Sequence, residues 1–138
     1  MTGYYREDIT FESDGTACAA WLYRPAGADN PPIVVMAHGI AAIRVLRLDA
    51  YAARFAEAGY AVVVFEYRGW GDSAGEPRRV LNIRAQQQDW RAAVAYARRI
   101  DGVDTSRVVL WGTSFGGGHA LHLAAEDHDL AAVIAQVD

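Results

Sequence analysis

Val108-Val109-Leu110-Trp111-Gly112-Thr113-Ser114-Phe115-Gly116-Gly117-Gly118-His119-Ala120-Leu121 is the stretch from which the architecture follows. Its first residues are an apolar, β-branched run that suits a strand buried in a sheet. Gly117 to Ala125 reads as a small-residue helix. Between them, Gly112-Thr113-Ser114-Phe115-Gly116 is a Gly-x-Ser-x-Gly pattern at a strand-to-helix turn. So tight a turn projects the serine hydroxyl above the sheet, where a nucleophile is needed. The two glycines follow from the same geometry, because side chains there would collide with the neighbouring strand and helix.

Working back from the turn, Ile33-Val34-Val35-Met36-Ala37 and Ala61-Val62-Val63-Val64-Phe65 are continuous apolar runs, typical of strands covered on both faces. Leu48, Tyr51, Ala52 and Phe55 between them lie at helical spacing, with Gly59 where a helix ends. Ile83, Trp90, Val94, Ala97 and Ile100 stripe a longer helix that leads through Asp101-Gly102-Val103-Asp104 into the strand of the turn. At the start, Arg6 to Glu12 alternates, and Ser13-Asp14-Gly15 turns the chain back into Thr16 to Tyr23 as a hairpin. Leu130 to Val137 is one more apolar strand. The order ββ-βα-βα-βα-β predicts an α/β fold with a doubly wound, mostly parallel sheet and an N-terminal antiparallel hairpin. Residues 1–138 read as one domain.

Composition narrows the chemistry. The 138 residues carry a net charge of −4, which argues against a nucleic-acid partner. All 13 basic residues are Arg. Lysine chemistry is therefore excluded: there is no Schiff base, phosphate-loop lysine or Ser-Lys dyad. Arg78, Arg79 and Arg84, and Arg98 with Arg99, read as solvated loop and helix ends. Cys18, the one cysteine, stands in an apolar strand and reads as core. Met1 to Asp8 is polar, and no apolar run reaches membrane-spanning length, so the expectation is a cytoplasmic protein with no membrane partner. No Gly-x-Gly-x-x-Gly follows the first parallel strand, which disfavours a nucleotide-binding domain, and no cofactor is implied.

Acyl transfer at a serine needs donors for the oxyanion and a base for the serine proton. His38-Gly39-Ile40 follows the first parallel strand, where the backbone N–H groups of Ile40 and Phe115 converge on one oxygen if the loop passes beside the turn. His38-Gly39, Arg68-Gly69-Trp70-Gly71-Asp72-Ser73-Ala74-Gly75 and Gly112 to Gly116 stand in order on the expected elements. In these three motifs the chain resembles the α/β-hydrolase superfamily, and within it the bacterial esterase and serine-peptidase-like branches. The resemblance runs from about Ile9 to Val137. It implies a serine hydrolase acting on an ester, thioester or small amide, with Ser114 as nucleophile, Ile40 and Phe115 as backbone oxyanion donors, and a small acyl compound as substrate. The departures are the bulkier Ile40-Ala41-Ala42-Ile43 after His38-Gly39, and Glu66 where many relatives carry Asp.

By the superfamily's order the acid and the histidine follow the serine. His38 belongs to the oxyanion loop and reads as a backbone organiser; His119 and His122 ride on the helix leaving the serine and read as packing. His128, between Asp127 and Asp129, reads as a solvated turn. Asp138 is the final residue and reads as frayed rather than as the acid. The expectation is therefore a C-terminally incomplete hydrolase fold whose base and acid lie outside the chain. Its last strand would be an open apolar edge, fit for self-association or a complementing chain. The alternatives are a fragment without turnover, or a binding module that uses the oxyanion pocket without chemistry. Trp70, Phe115 and Ile40 read either as an apolar acyl pocket or as plain packing.

Overall fold

The structure, a computed structural model, describes residues 3–39 and 47–136. Strands β1 (Tyr4–Ser13) and β2 (Thr16–Pro25) pair antiparallel from Tyr4 opposite Pro25 to Ser13 opposite Thr16. The two residues between them, Asp14 and Gly15, have φ of 50° and 76°. Two consecutive positive φ values form the turn whose twist matches the flanking strands, which is why Asp-Gly stands there. Then follow β3 (Pro32–Ala37), α1 (Leu48–Glu57), β4 (Ala61–Phe65), α2 (Ile83–Ala97), β5 (Asp104–Thr113), α3 (Phe115–Glu126) and β6 (Ala132–Gln136).

Among the described residues the strands make one six-stranded sheet in the order β1-β2-β4-β3-β5-β6. β2 joins β4 antiparallel, and β4, β3, β5 and β6 are parallel to one another. The fold is the α/β hydrolase arrangement expected from the sequence. The apolar runs are continuous because both faces are covered: Ile33, Val35, Val63 and Phe65 face one core, while Val34, Met36, Val62 and Val64 face the other. Helix α1 packs on the second face, through Leu48, Ala52 and Ala56. Helices α2 and α3 pack on the first, through Trp90, Ala93, Val94, Ala120 and Leu123. Each buried Val, Leu, Ile, Met or Phe side chain among them contributes roughly 1.5–3 kcal/mol, and each alanine less.

The connection leaving β3 runs to one face and that leaving β5 to the other, although the two strands are neighbours. In such sheets the crevice outside the carboxyl ends of those two strands is where ligands bind. The crevice lies between His38-Gly39 and Ser114. No helix among the described residues is long and apolar enough to cross a membrane.

Several details differ from the sequence reading. The last strand is shorter, Ala132–Gln136, and Val137 lies outside the described residues. Tyr51 faces outward, with its ring 5.0 Å from that of Trp111. The buried face of α2 includes two polar residues, Gln86 and Asp89, whereas Ile83 at its start is 48% exposed. Hydrophobic periodicity finds only the apolar part of such a face.

Candidate active site

Ser114 stands between the end of β5 and the first residue of α3, with φ 55° and ψ −120°. That left-handed φ is strained for a residue with a Cβ and persists only where the surroundings impose it. The imposing contacts are close approaches of backbone. A Cβ on Gly112 would stand 2.1 Å from the Gly116 carbonyl oxygen, and one on Gly116 would stand 2.7 Å from that of His38. Strand, turn, helix and the loop after β3 are thus held at backbone contact, and the Ser114 side chain is left exposed. The Ser114 N–H donates to the Gln136 carbonyl at 2.7 Å, which ties the turn to β6.

The oxyanion side is as close. A Cβ on Gly39 would lie 2.9 Å from the Phe115 nitrogen, directly against the N–H expected to serve as donor. Gly39 therefore leaves that donor uncovered, and a first-turn N–H has no partner within its own helix. Ile40, the other expected donor, lies outside the described residues, as do Ala41-Ala42-Ile43 and Asp138.

Beneath this loop is a chain of hydrogen bonds that the sequence reading missed. Trp90 Nε1 donates to Tyr67 Oη at 2.9 Å, and Tyr67 Oη donates to the His38 carbonyl at 2.7 Å. Both side chains are buried, and burial raises the Tyr67 hydroxyl pKa, so it remains a donor. His38 thus takes part through its backbone carbonyl, whereas the sequence reading had its side chain organising the backbone. Tyr67 sits two residues past a strand with no local pattern to mark it.

The Arg-Gly-x-Gly loop is anchored twice. Arg68 donates to Asp89 through its backbone N–H at 2.9 Å and its Nε at 2.8 Å, with Asp89 fully buried. Glu66 accepts from the Asp72 N–H at 2.9 Å, which gives this buried carboxylate a structural part in the loop. Arg78 is not simply solvated: its guanidinium donates to the carbonyls of Ser73 and Gly71 at 2.6 and 2.8 Å. Arg98 likewise pairs through both terminal nitrogens with Asp127, at 2.8 and 3.0 Å, and holds that carboxyl below the usual carboxylate range. Cys18 is buried, and desolvation pushes its thiol up to about 12.

The histidines fall out as follows. His119 is buried with its ring edge-on to Phe115, centroids 4.9 Å apart, and its Nε2 lies 2.9 Å from Gln86 Oε1. Burial, aided by His122, lowers its pKa to about 4, so the ring is neutral at physiological pH. His122 is exposed rather than packed, and His128 is exposed as expected. Among the described residues no imidazole hydrogen-bonds the Ser114 hydroxyl. A cavity of about 400 Å³ opens at the serine, lined by Ile83, Gln87, Ser114, Phe115, Gly118, His119 and Leu121. Phe115 lines it as one sequence reading had it; Trp70 does not, and packs against the larger core cluster instead.

A serine on a strained strand-to-helix turn, facing a glycine loop across the crevice of a doubly wound sheet, defines an α/β hydrolase. The chain belongs to the family described as "Serine aminopeptidase, S33" (Hydrolase_4), whose model matches residues 28–136. It is 54% identical over 129 residues to the quorum-quenching protein AidA of Acinetobacter baumannii, covering 94% of this chain and 42% of that protein. It is 33% identical to the thiohydrolase aneE of Aspergillus aculeatus, covering 94% of this chain and 40% of that one. Among solved structures, the α/β hydrolase GrgF from a Penicillium species superposes with a TM-score of 0.87 at 32% identity, covering 94% of this chain and 44% of that one. The chain thus spans about two-fifths of the length of these relatives.

Proposed function

We propose that the protein is a serine hydrolase cleaving an ester, thioester or small amide through an acyl-enzyme. The observation that carries this reading is Ser114 itself: exposed, strained, and beside an uncovered Phe115 N–H. Its Oγ attacks the substrate carbonyl, its proton passes to a base, and the carbonyl oxygen becomes an oxyanion. The Phe115 N–H holds that oxygen, with the Ile40 N–H as its partner. Each such donor lowers the barrier by roughly 3–4 kcal/mol. Collapse expels the alcohol, thiol or amine, and water then releases the acyl group. A relative named a thiohydrolase keeps the thioester in the substrate set. The described histidines are not assigned as the base; His119, which lines the cavity at the serine, is held by Gln86.

That last point favours a second reading, a binding module that uses the same pocket without turnover. Intact-mass analysis after fluorophosphonate treatment separates the two. The expected result is a single adduct on the wild-type chain and none on Ser114→Ala. No adduct on folded wild-type protein would remove the hydrolase reading for this chain and leave the binding module.

A further inference from the structure

The His38 carbonyl oxygen is constrained from three sides. It accepts from Tyr67 Oη at 2.7 Å. A Cβ on Gly116 would lie 2.7 Å from it, so the same oxygen bears on the backbone that opens α3. The chain then continues into Gly39, where a Cβ would lie 2.9 Å from the Phe115 nitrogen. The place of this one carbonyl therefore sets how closely the loop after β3 approaches the turn that carries Ser114.

The hydroxyl that holds the carbonyl has no freedom to turn away. An indole N–H is a donor only, and Trp90 Nε1 donates to Tyr67 Oη at 2.9 Å, which leaves the Tyr67 proton to His38. Tyr67 is buried, with its ring edge-on to Phe65 at 5.5 Å and to His119 at 6.0 Å. These contacts fix the ring that carries the hydroxyl. The His38–Gly39 peptide is trans and planar, so holding its C=O also sets the direction of its N–H and the course of the chain into Gly39.

The far side of the gap is braced separately. The Phe115 ring meets His119 edge-on with centroids 4.9 Å apart, and His119 Nε2 lies 2.9 Å from Gln86 Oε1. Gln86 and Trp90 stand one turn apart on the buried face of α2. Helix α2 thus holds the loop through Tyr67 and the turn through His119. A change in the Tyr67 link alters the gap between them instead of moving both together.

We infer that Tyr67 is a positioning residue for the oxyanion site: its hydroxyl, locked by Trp90, sets the spacing between the loop after β3 and the Phe115 N–H. It acts through the His38 carbonyl and touches no reacting atom. The inference deepens the proposed function and rests on it, because the spacing bears on the reaction only where an oxyanion forms in that gap.

Tyr67→Phe keeps the ring and removes only the hydroxyl. In the ¹⁵N-labelled chain the Phe115 amide signal reports how closely Gly39 approaches it. It should move by more than its linewidth, while the Asp14 and Gly15 signals at the hairpin turn stay in place. Fluorophosphonate labelling, followed to saturation, supplies the second readout. Its maximal rate should fall about tenfold or more with the half-saturating concentration within about twofold, because losing a donor outright costs about a hundredfold or more and here the gap is only misset. A hydroxyl that served stability alone would lower Tm and leave both readouts unchanged. An unmoved Phe115 amide in folded Tyr67→Phe overturns the inference, and so does a maximal labelling rate equal to that of wild type. Should Tyr67→Phe not fold, Trp90→Phe removes the donor that locks the hydroxyl and should move the same amide signal; a stationary signal there overturns the inference equally. A folded wild-type chain that takes no label, with the Phe115 amide moved in Tyr67→Phe, would sink the nucleophile and leave Tyr67 setting the gap. Equal labelling of both proteins with a stationary amide would sink only the role of Tyr67.

Discussion

Ser114 adopts a backbone conformation that costs on the order of 1–3 kcal/mol and is held by glycine contacts on both sides. Next to it, His119 shows how a buried titratable group couples the site to pH. Its folded pKa is lowered to about 4 from 6.5, chiefly by burial. Between those values the unfolded chain binds a proton that the folded chain refuses, so stability rises with pH across that window and falls as pH drops from about 6.5 to 4. The ring edge meets the cavity, so the contribution is discounted to about 2 kcal/mol. Urea unfolding of wild type between pH 4 and 7 should show this loss, and His119→Gln should flatten it. An unchanged pH slope in the variant would mean the imidazole is charged in the folded state.

At the scale of elements, the site depends on how the loop after β4 is fastened to α2. Arg68 and Asp89 make that joint, with two hydrogen bonds to one buried carboxylate. Removing a single partner of a buried pair leaves the other charge uncompensated. Asp89→Ala should therefore destabilise the fold by about 3 kcal/mol, measured by chemical denaturation, with Asp89→Asn losing less. A loss below about 1 kcal/mol for the alanine variant would show that Ser13 and Gln88, which also accept from Arg68, suffice to hold the joint. Periodicity in the sequence placed α2 and its Trp90 stripe but passed over Asp89 and Gln86, because a polar residue on a buried face is explained only by its partner. Arg68 is 21 residues away in sequence from Asp89, and His119 is 33 from Gln86.

For the molecule as a whole, the sheet order leaves β6 with β5 as its one neighbour among the described residues. Ile134 on that strand is 41% exposed. A polypeptide of residues 1–138 by itself would present this uncharged parallel edge, which can template pairing with another copy. For that polypeptide, concentration-dependent association in size-exclusion chromatography with light scattering is the expected result, and Ile134→Lys should shift the population toward monomer. A monomer that is insensitive to both concentration and Ile134→Lys would show that the edge does not pair.

The sequence by itself determined the order of elements, the hairpin, the alternation of faces along Ile33–Ala37 and Ala61–Phe65, and the serine turn. Each of these is written in neighbours within a few residues, through turn chemistry, hydrophobic period and glycine sterics. Tertiary structure alone decided which distant groups meet: Trp90 and Tyr67 beneath the His38 carbonyl, Asp89 with Arg68, Gln86 with His119, and Ile83 across from Gly118 at the cavity. Those contacts exist because the winding of the sheet reverses between β3 and β5 and brings α2 and α3 together on one face, and no local pattern encodes that reversal.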